Sequence, residues 1–171
     1  NSVTTVVVIS ANPALVVNNP TVCENQTINL TATAGGATYA WIGPLGFTSA
    51  AQNPSIQNSN LGMSGAYTVT LTTAGGCTNT AVANVIINPA PIPTINSNSP
   101  ICLNDVLNLS ATGGITYSWS GPNGFFSSVQ SPTVLGSSTS VGGIYQVTVT
   151  DANTCSASAT INTIVNPLPV P

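Results

Sequence analysis

The chain repeats itself once along its length, with an offset of 78 or 79 residues between equivalent positions. A repeat of this length has room for several strands in each copy, so it predicts small domains in tandem rather than a solenoid of short units. Three pairs of segments match: Cys23-Glu-Asn-Gln-Thr-Ile-Asn-Leu with Cys102-Leu-Asn-Asp-Val-Leu-Asn-Leu, Tyr39-Ala-Trp41-Ile-Gly43-Pro44 with Tyr117-Ser-Trp119-Ser-Gly121-Pro122, and Gly65-Ala-Tyr67 with Gly143-Ile-Tyr145.

The repeat also sets the expected domain boundaries. Residues 1–13 are rich in β-branched residues and end in Asn-Pro, as each full repeat does, so we expect them to be the last strand of a preceding repeat. Residues 14–89 then form the first repeat and residues 90–171 the second. Alternating prolines between residues 89 and 93 predict a short, stiff joint between the repeats. The alternative for residues 1–13 is a free strand that is donated to the sheet edge of another subunit.

Within each repeat the periodicity is that of β-strands. Ile28, Leu30 and Ala32 alternate with polar residues, and so do Tyr67, Val69 and Leu71 with threonines. Gly-Gly pairs and an Asp-Ala-Asn segment lie between these runs and predict turns. No stretch has helical periodicity of useful length. The predicted fold class is therefore all-β, with two antiparallel β-sandwiches in tandem.

The scarcity of charged residues limits the functions that the chain can perform. The chain has no lysine, arginine or histidine, and its only carboxylates are Glu24, Asp105 and Asp151. It lacks the residues that perform most acid–base catalysis and those that neutralise phosphates, so neither an enzyme nor a nucleic-acid partner is expected. Three scattered carboxylates also make a poor calcium site, and we expect no metal or other cofactor.

The surface must be hydrated by uncharged groups, since Asn, Ser and Thr make up more than a third of the residues. Such a surface has little charge repulsion, and it predicts association with copies of the chain or with neutral polymers such as polysaccharides. No apolar run approaches the roughly 18 to 20 residues of a membrane span, so no membrane insertion is expected.

Two further features indicate which type of β-sandwich the chain forms. Trp41 and Trp119, each on the predicted third strand, are expected to fill the centre of a sandwich, as in immunoglobulin (Ig) domains. Tyr67 and Tyr145, each in a Gly-x-Tyr motif, correspond to the tyrosine corner of that fold. The chain departs from a true Ig domain because valine, not cysteine, lies two residues after each tyrosine.

The combined pattern Cys…Tyr-x-Trp-x-Gly-Pro-x-Gly-Phe…Gly-x-Tyr-x-Val-Thr…Cys…Asn-Pro resembles the tandem Ig-like and PKD-like repeats of very large surface adhesins of Bacteroidota, including gliding-motility-type proteins. The resemblance implies export across the outer membrane, often by the type IX route, and an extracellular or cell-surface location. It also implies a stalk or filament role and no catalytic residues.

The four cysteines, with no histidine and no Cys-x-x-Cys motif, favour disulfides over a zinc site and indicate an oxidising compartment. Two pairings are open. Pairing within repeats joins Cys23 to Cys77 and Cys102 to Cys155. In an Ig topology, however, these positions lie at opposite ends of a strand about 26 Å long, whereas a disulfide needs Cα atoms within about 7 Å. The alternative is a bond between domains from Cys23 to Cys155, with Cys77 and Cys102 bonded to units outside this chain.

The Gly-Pro-x-Gly-Phe segments offer the one candidate ligand contact. Phe47 and Phe125 either fold back onto the sandwich at a tight turn or present an aromatic ring to a sugar. Our function hypothesis is a non-catalytic stalk or spacer segment of an extracellular adhesin or cell-surface filament. Its expected partners are neighbouring repeats of the same polypeptide, other copies in a filament and surface polysaccharide. The alternatives are a pair of carbohydrate-binding modules or an Ig-like decoration domain of a phage or virion.

Overall fold

The structure, a computed structural model, describes residues 12–33, 35 and 38–169. The chain divides into two compact units, Asn1–Pro89 and Ala90–Pro171. Apart from Asn12 and Pro13, the segment expected to close a preceding repeat lies outside the described residues. All regular elements of the described residues are β-strands or single 3-10 turns, which confirms the all-β prediction.

Seven strands lie within the described residues of the first unit, and five of them form its main sheet. This sheet has the order β1-β7-β6-β3-β4, and β2 pairs with β5. The pairing of β1 with β7 is parallel, while the other pairs are antiparallel. The strands are β1 Thr21–Cys23, β2 Ile28–Asn29, β3 Thr38–Ile42, β4 Thr48–Ser49, β5 Ser55–Ile56, β6 Gly65–Thr72 and β7 Thr78–Asn88, with 3-10 turns at Pro44–Gly46 and Leu61–Met63.

The second unit follows a similar plan, with nine strands among residues 90–169. One sheet has the order β12-β11-β14-β15, another has the order β13-β10-β8, and β9 pairs with β16 in parallel. The strands are β8 Thr94–Ser97, β9 Ile101–Cys102, β10 Val106–Thr112, β11 Thr116–Ser120, β12 Phe126–Ser127, β13 Thr133–Leu135, β14 Gly143–Thr150, β15 Ser156–Thr163 and β16 Val165–Asn166, with 3-10 turns at Pro122–Gly124 and Thr139–Val141.

Each unit has its own hydrophobic core between its sheets. The inward positions of the alternating runs supply it, because successive residues of a strand point to opposite faces. The core of the first unit consists of Ile28, Leu30, Ala32, Trp41, Tyr67, Val69, Ala83, Val85 and Ile87. The core of the second consists of Ile101, Leu107, Leu109, Ala111, Trp119, Val141, Tyr145, Val147, Val149 and Val165. Two separate cores of this Ig-like kind agree with the predicted tandem sandwiches.

Side-chain amides replace part of the backbone pairing in the first unit. The alternation of Ile28, Leu30 and Ala32 predicts one continuous strand, but only Ile28–Asn29 is regular. Beyond it, Asn18 Oδ1 accepts from Thr31 N at 2.8 Å, and Gln52 Nε2 donates to Ala32 O at 2.8 Å. These amides add to the backbone bonds of an isolated antiparallel bridge between Val17 and Ala32, where the pairing does not continue as a regular ladder. The strand is therefore shorter than its hydrophobic pattern suggests.

The second unit uses the same device on a longer strand. Gln130, which is equivalent to Gln52, donates from Nε2 to Ala111 O at 3.0 Å. Asn98 Oδ1 accepts from Asn108 N at 2.8 Å, and its Nδ2 donates to Val106 O at 3.0 Å. A chain without basic side chains thus uses neutral amides as its internal polar connectors.

Candidate functional site

The two tryptophans lie at the centres of the two cores. Trp41 on β3 is 1% exposed and Trp119 on β11 is fully buried. Each indole N–H still finds an acceptor, Gln52 O at 3.3 Å for Trp41 and Val129 O at 3.0 Å for Trp119. Both rings are therefore structural, and neither can serve as a platform for a ligand.

The two tyrosines of the Gly-x-Tyr motifs form tyrosine corners. The Tyr67 hydroxyl donates to Met63 O at 3.0 Å, and the Tyr145 hydroxyl donates to Val141 O at 2.9 Å. The preceding glycines, Gly65 and Gly143, have φ values of 137° and 144°, which side chains rarely tolerate. The motif therefore combines a glycine that turns the backbone with a tyrosine that ties the new strand to the turn before it.

Phe47 and Phe125 pack edge-on against these tyrosines. The ring centroids of Phe47 and Tyr67 are 5.4 Å apart at 65°, and those of Phe125 and Tyr145 are 5.3 Å apart at 70°. Such T-shaped pairs are favourable arrangements of aromatic rings. Both phenylalanines fold back onto the sandwich, so neither offers a free ring face of the kind that a sugar-binding site needs.

Burial raises the pKa of Tyr67 and Tyr145 above the ordinary tyrosine value. Because the folded-state pKa exceeds the unfolded-state value of about 10, the neutral form stabilises the fold, and this contribution is fully present below about pH 10. It is lost as the pH rises through the folded-state pKa. We therefore expect the urea midpoint to fall progressively above pH 10, and a Tyr67→Phe/Tyr145→Phe double variant to show a much smaller alkaline decline. An equally steep decline in that variant would contradict this assignment.

The three carboxylates do not converge within either unit. Asp151 caps the turn between β14 and β15, with Oδ1 accepting from Asn153 N and Cys155 N, both at 2.9 Å. Asp105 Oδ2 accepts from Cys102 N at 3.1 Å. Glu24 lies in the turn after β1. Among the described residues there is no group of three or more potential metal-ligating side chains.

The first unit has a shallow apolar pocket of about 200 Å³ beside its first 3-10 turn. Pro44, Leu45, Phe47, Ile56 and Met63 line most of it, and the Tyr67 hydroxyl on its wall is already bonded to Met63. No charged side chain and no unsatisfied buried polar atom among the described residues aims into it. The pocket thus offers volume but no group that selects a ligand.

Leu45 at the rim of this pocket has a strained backbone. Its φ is 55°, which is unfavourable for a bulky side chain, and the side chain is 72% exposed. The equivalent Asn123 has the same conformation, and its Nδ2 lies 3.3 Å from Ser140 O, to which it donates. Asparagine suits this region because its short polar side chain bonds locally.

We expect Leu45→Asn to raise the free energy of unfolding of the first unit by about 0.5 to 1 kcal/mol, since relief of a left-handed Leu exceeds the small loss of exposed apolar contact. Urea unfolding followed by Trp41 emission in a Trp119→Phe background measures this unit alone. The converse variant, Asn123→Leu, is the matched control and should destabilise the second unit. A lower midpoint for Leu45→Asn would show that the exposed leucine contributes more by packing than its backbone strain removes.

The cysteines differ in state between equivalent positions. Cys23 and Cys155 are disulfide-bonded, whereas Cys77 is a half-buried free thiol and Cys102 an exposed one. The protein therefore contains a disulfide, and neither within-repeat pair, Cys23 with Cys77 or Cys102 with Cys155, is formed in this structure. Each unit contributes one bonded cysteine and one free cysteine.

The sequence pattern does not indicate one exposed aromatic residue. Phe126 on β12 is 70% exposed, and threonine stands at the equivalent position of the first unit. The repeat comparison directs attention to shared residues, so a side chain present in one repeat only gives no signal. A single exposed phenylalanine without convergent polar groups is ordinary for a protein surface. Across the described part of the chain, no helix has the length and apolar character needed to cross a membrane.

Comparison with known proteins agrees with this architecture. Residues 11–91 match the family model described as "Ig-like domain CHU_C associated". No curated protein matches the chain at a significant level. The family match and the topology together support an Ig-like domain with a structural or binding role.

Similar solved structures are Ig-domain proteins of low sequence identity. The three N-terminal domains of the bacteriophage RB49 Highly Immunogenic Outer Capsid protein are 18% identical, with a TM-score of 0.43; the match covers 90% of this chain and 59% of that one. The complex of Dpr11 IG1 with DIP-gamma IG+IG2 is 15% identical with a TM-score of 0.39, covering 91% of this chain and 100% of that chain. Murine CEACAM1b is 11% identical with a TM-score of 0.43, covering 89% and 100%. By its family match, the chain is similar over residues 11–91 to the CHU_C-associated Ig-like domains.

Proposed function

We propose that the chain is a non-catalytic spacer segment of an extracellular adhesin or cell-surface filament. Two Ig-like domains follow each other through the proline-rich joint, and a disulfide between Cys23 and Cys155 ties them together. The domain boundaries of this proposal are residues 14–89 and 90–171, with residues 1–13 closing a preceding repeat.

The states of the cysteines carry this proposal. Cys23 and Cys155 are bonded while Cys77 and Cys102 are free, and the chain has no other cysteine. A disulfide between domains adds nothing to the core of either one, but it removes conformational freedom from the pair. Restricted motion between domains suits a spacer segment, which keeps other parts of a filament at a fixed separation. Disulfides also persist in the oxidising surroundings expected of an extracellular protein.

Two further observations support a structural role. The aromatic residues that might have formed a ligand platform, Trp41, Trp119, Phe47 and Phe125, are instead occupied in packing. The polar connectors are neutral amides within each unit. The side chains are thus used to build the two sandwiches, and the described residues contain no group of three or more potential metal-ligating side chains.

Peptide mapping under non-reducing conditions tests the proposed disulfide. Trypsin is unsuitable because the chain has no lysine or arginine, so pepsin or chymotrypsin must be used. We expect a peptide pair that joins Cys23 to Cys155 and disappears on reduction. A peptide pair joining Cys23 to Cys77 would overturn the arrangement.

Negative-stain images of the native material test the spacer role. We expect beads at regular intervals along a filament, and isolated globular particles would contradict the proposal.

A glycan titration separates this proposal from the carbohydrate-binding alternative. Both tryptophans are buried, so their emission should be blue-shifted, protected from quenchers and unchanged by neutral polysaccharides. Saturable changes in emission on adding a polysaccharide would favour the binding-module hypothesis. Phe126→Ser is the variant to test next in that case, because it removes the most exposed aromatic ring.

A further inference from the structure

A turn of the second unit contains the only Asn-Gly pair in the sequence, although asparagine is abundant in the chain. Asn123 and Gly124 are both exposed, and they lie in the 3-10 turn Pro122–Gly124. Asparagine followed by glycine deamidates more readily than other asparagine pairs. The reason is that glycine has no Cβ to hinder attack by its backbone nitrogen on the asparagine amide carbon. The equivalent pair of the first unit is Leu45-Gly46, which has no amide to lose.

The folded turn holds the two reacting atoms apart. Asn123 has a φ of 54° and a ψ of 30°, in the left-handed region, and Gly124 has a φ of 73°. In this region the Cβ of a residue lies close to the following carbonyl oxygen. The nitrogen of the next residue is bonded to the other side of that carbonyl carbon, so Gly124 N faces away from the Asn123 side chain. The amide carbon is therefore out of reach of this nitrogen while the turn is closed.

Hydrogen bonds keep the turn closed. Phe125 N donates to Pro122 O at 3.0 Å, and Gly121 N donates to Phe125 O at 3.1 Å. Asn123 Nδ2 donates to the carbonyl oxygen and to Oγ of Ser140, both at 3.3 Å. These bonds restrain both the backbone and the side-chain amide, so the turn must open before the reaction can begin.

We propose that Asn123 is a site of spontaneous deamidation, which the closed turn suppresses and each opening of the turn permits. This inference is independent of the spacer role, and its only co-reactant is water. Segments of a folded protein open locally without global unfolding. A modification that takes place only in the open turn and is not reversed therefore accumulates with time. Because the first unit has leucine at the equivalent position, the modification marks the second unit alone.

The reaction has two steps and involves no change of oxidation state. Gly124 N attacks Cγ of Asn123, the new N–Cγ bond closes a succinimide ring, and the Cγ–Nδ2 bond breaks. The leaving nitrogen takes the proton of the Gly124 amide and departs as ammonia. Water then adds to one of the two ring carbonyls, which returns a proton to the ring nitrogen. Attack at Cγ gives aspartate, and attack at the main-chain carbonyl gives isoaspartate, in which the backbone runs through Cγ. The new acid group loses its proton to solvent.

Neither product can rebuild the original turn. An aspartate carboxylate has no N–H to donate to Ser140 O. An isoaspartate lengthens the backbone inside a turn that two backbone hydrogen bonds close. Both products add one carboxylate, so the formal net charge of the chain becomes one unit more negative than −3. Since the chain has so few charges, anion exchange separates the modified protein from the unmodified one.

Parallel incubation of the whole chain in native buffer and in urea, at the same mildly alkaline pH, tests the proposal. Pepsin digestion at acidic pH, where deamidation is slow, then provides the Asn123 peptide for mass spectrometry and an isoaspartate assay. In urea we expect this peptide to convert to aspartate and isoaspartate before any other asparagine peptide. In native buffer we expect the same products to form measurably but more than about tenfold more slowly, because only the open turn reacts. Equal rates in the two conditions, no conversion in native buffer, or an amide that survives in urea would each overturn the inference.

Two further measurements check the route and its consequence. Gly124→Ala should strongly slow the conversion in urea, because the added Cβ hinders the attacking nitrogen, and an unchanged rate would exclude this route. The acidic fraction of native protein should have a lower urea midpoint for the second unit, followed by Trp119 emission in a Trp41→Phe background. An unchanged midpoint would show that the modified chain still forms the turn.

Discussion

Replacing Trp119 with alanine lowers the expected free energy of unfolding of the second unit by about 3 to 5 kcal/mol. The indole is fully buried in the core, so its removal leaves a large cavity and also deprives Val129 O of its hydrogen-bond donor. A small domain has a total stability of only about 5 to 15 kcal/mol, so this variant approaches the limit of folding.

Because each unit contains one tryptophan, fluorescence can report on the unfolding of one unit at a time. With Trp119 removed, Trp41 is the only indole, and its emission reports on the first unit. Urea unfolding followed by circular dichroism should show a large shift for part of the signal, while the Trp41 emission transition stays at its wild-type midpoint. Trp119→Phe keeps most of the ring volume and serves as the milder control if the alanine variant does not fold. A loss below about 1 kcal/mol for Trp119→Ala would contradict the assignment of the indole to the core.

The second large effect is expected at Gly121, which follows the tryptophan by two residues. A Cβ at this position would lie 2.5 Å from Cδ1 and 2.6 Å from Cε1 of the Tyr145 ring. The ring has little freedom to move, because its hydroxyl bonds to Val141 O and Phe125 packs against it. We expect Gly121→Ala to destabilise the second unit by about 3 kcal/mol, at the upper end of overpacking effects.

Two controls show whether the clash with Tyr145 is the cause. Gly124→Ala places a Cβ in open space at a φ of 73° and should show only the backbone penalty of about 1 kcal/mol. In a Tyr145→Ala background, Gly121→Ala should add little, since the ring that it meets is gone. Additive losses in the double variant would mean that Gly121 is needed for another reason. Urea midpoints of the four proteins complete the cycle.

Gly121 also illustrates what the sequence can and cannot predict. The Trp-x-Gly-Pro and Gly-x-Tyr motifs are both visible in the repeat, and they correctly place the tryptophan and tyrosine strands in an all-β, Ig-like fold. The tyrosine ring of one motif leaves no room for a side chain at the glycine of the other. Only the pairing of β11 with β14 reveals this constraint. The Gly121 φ of −168° is extended backbone that any residue adopts, so local conformation gives no hint of the constraint.

The strand boundaries and the cysteine states mark two other limits. Hydrophobic alternation alone extends strand β2 of the first unit to Ala32. Alternation reports burial and not the identity of the hydrogen-bond partner, and here part of the partners are the amides of Asn18 and Gln52. The cysteine positions are equally plain in the sequence. Which of them are bonded depends on distances in the folded chain, so both pairings stay open until a structure is available.

The parallel pairing of β1 with β7 has a mechanical consequence. The pair is held by hydrogen bonds such as Glu24 N to Asn88 O at 2.8 Å and Ile86 N to Pro20 O at 3.0 Å. Tension applied to the two ends of the unit pulls β1 by its start and β7 by its finish, along the strands and in opposite directions. All the bonds of the pair are then loaded in shear at once, and they must break together instead of opening one by one like a zipper. β9 and β16 give the second unit the same clamp.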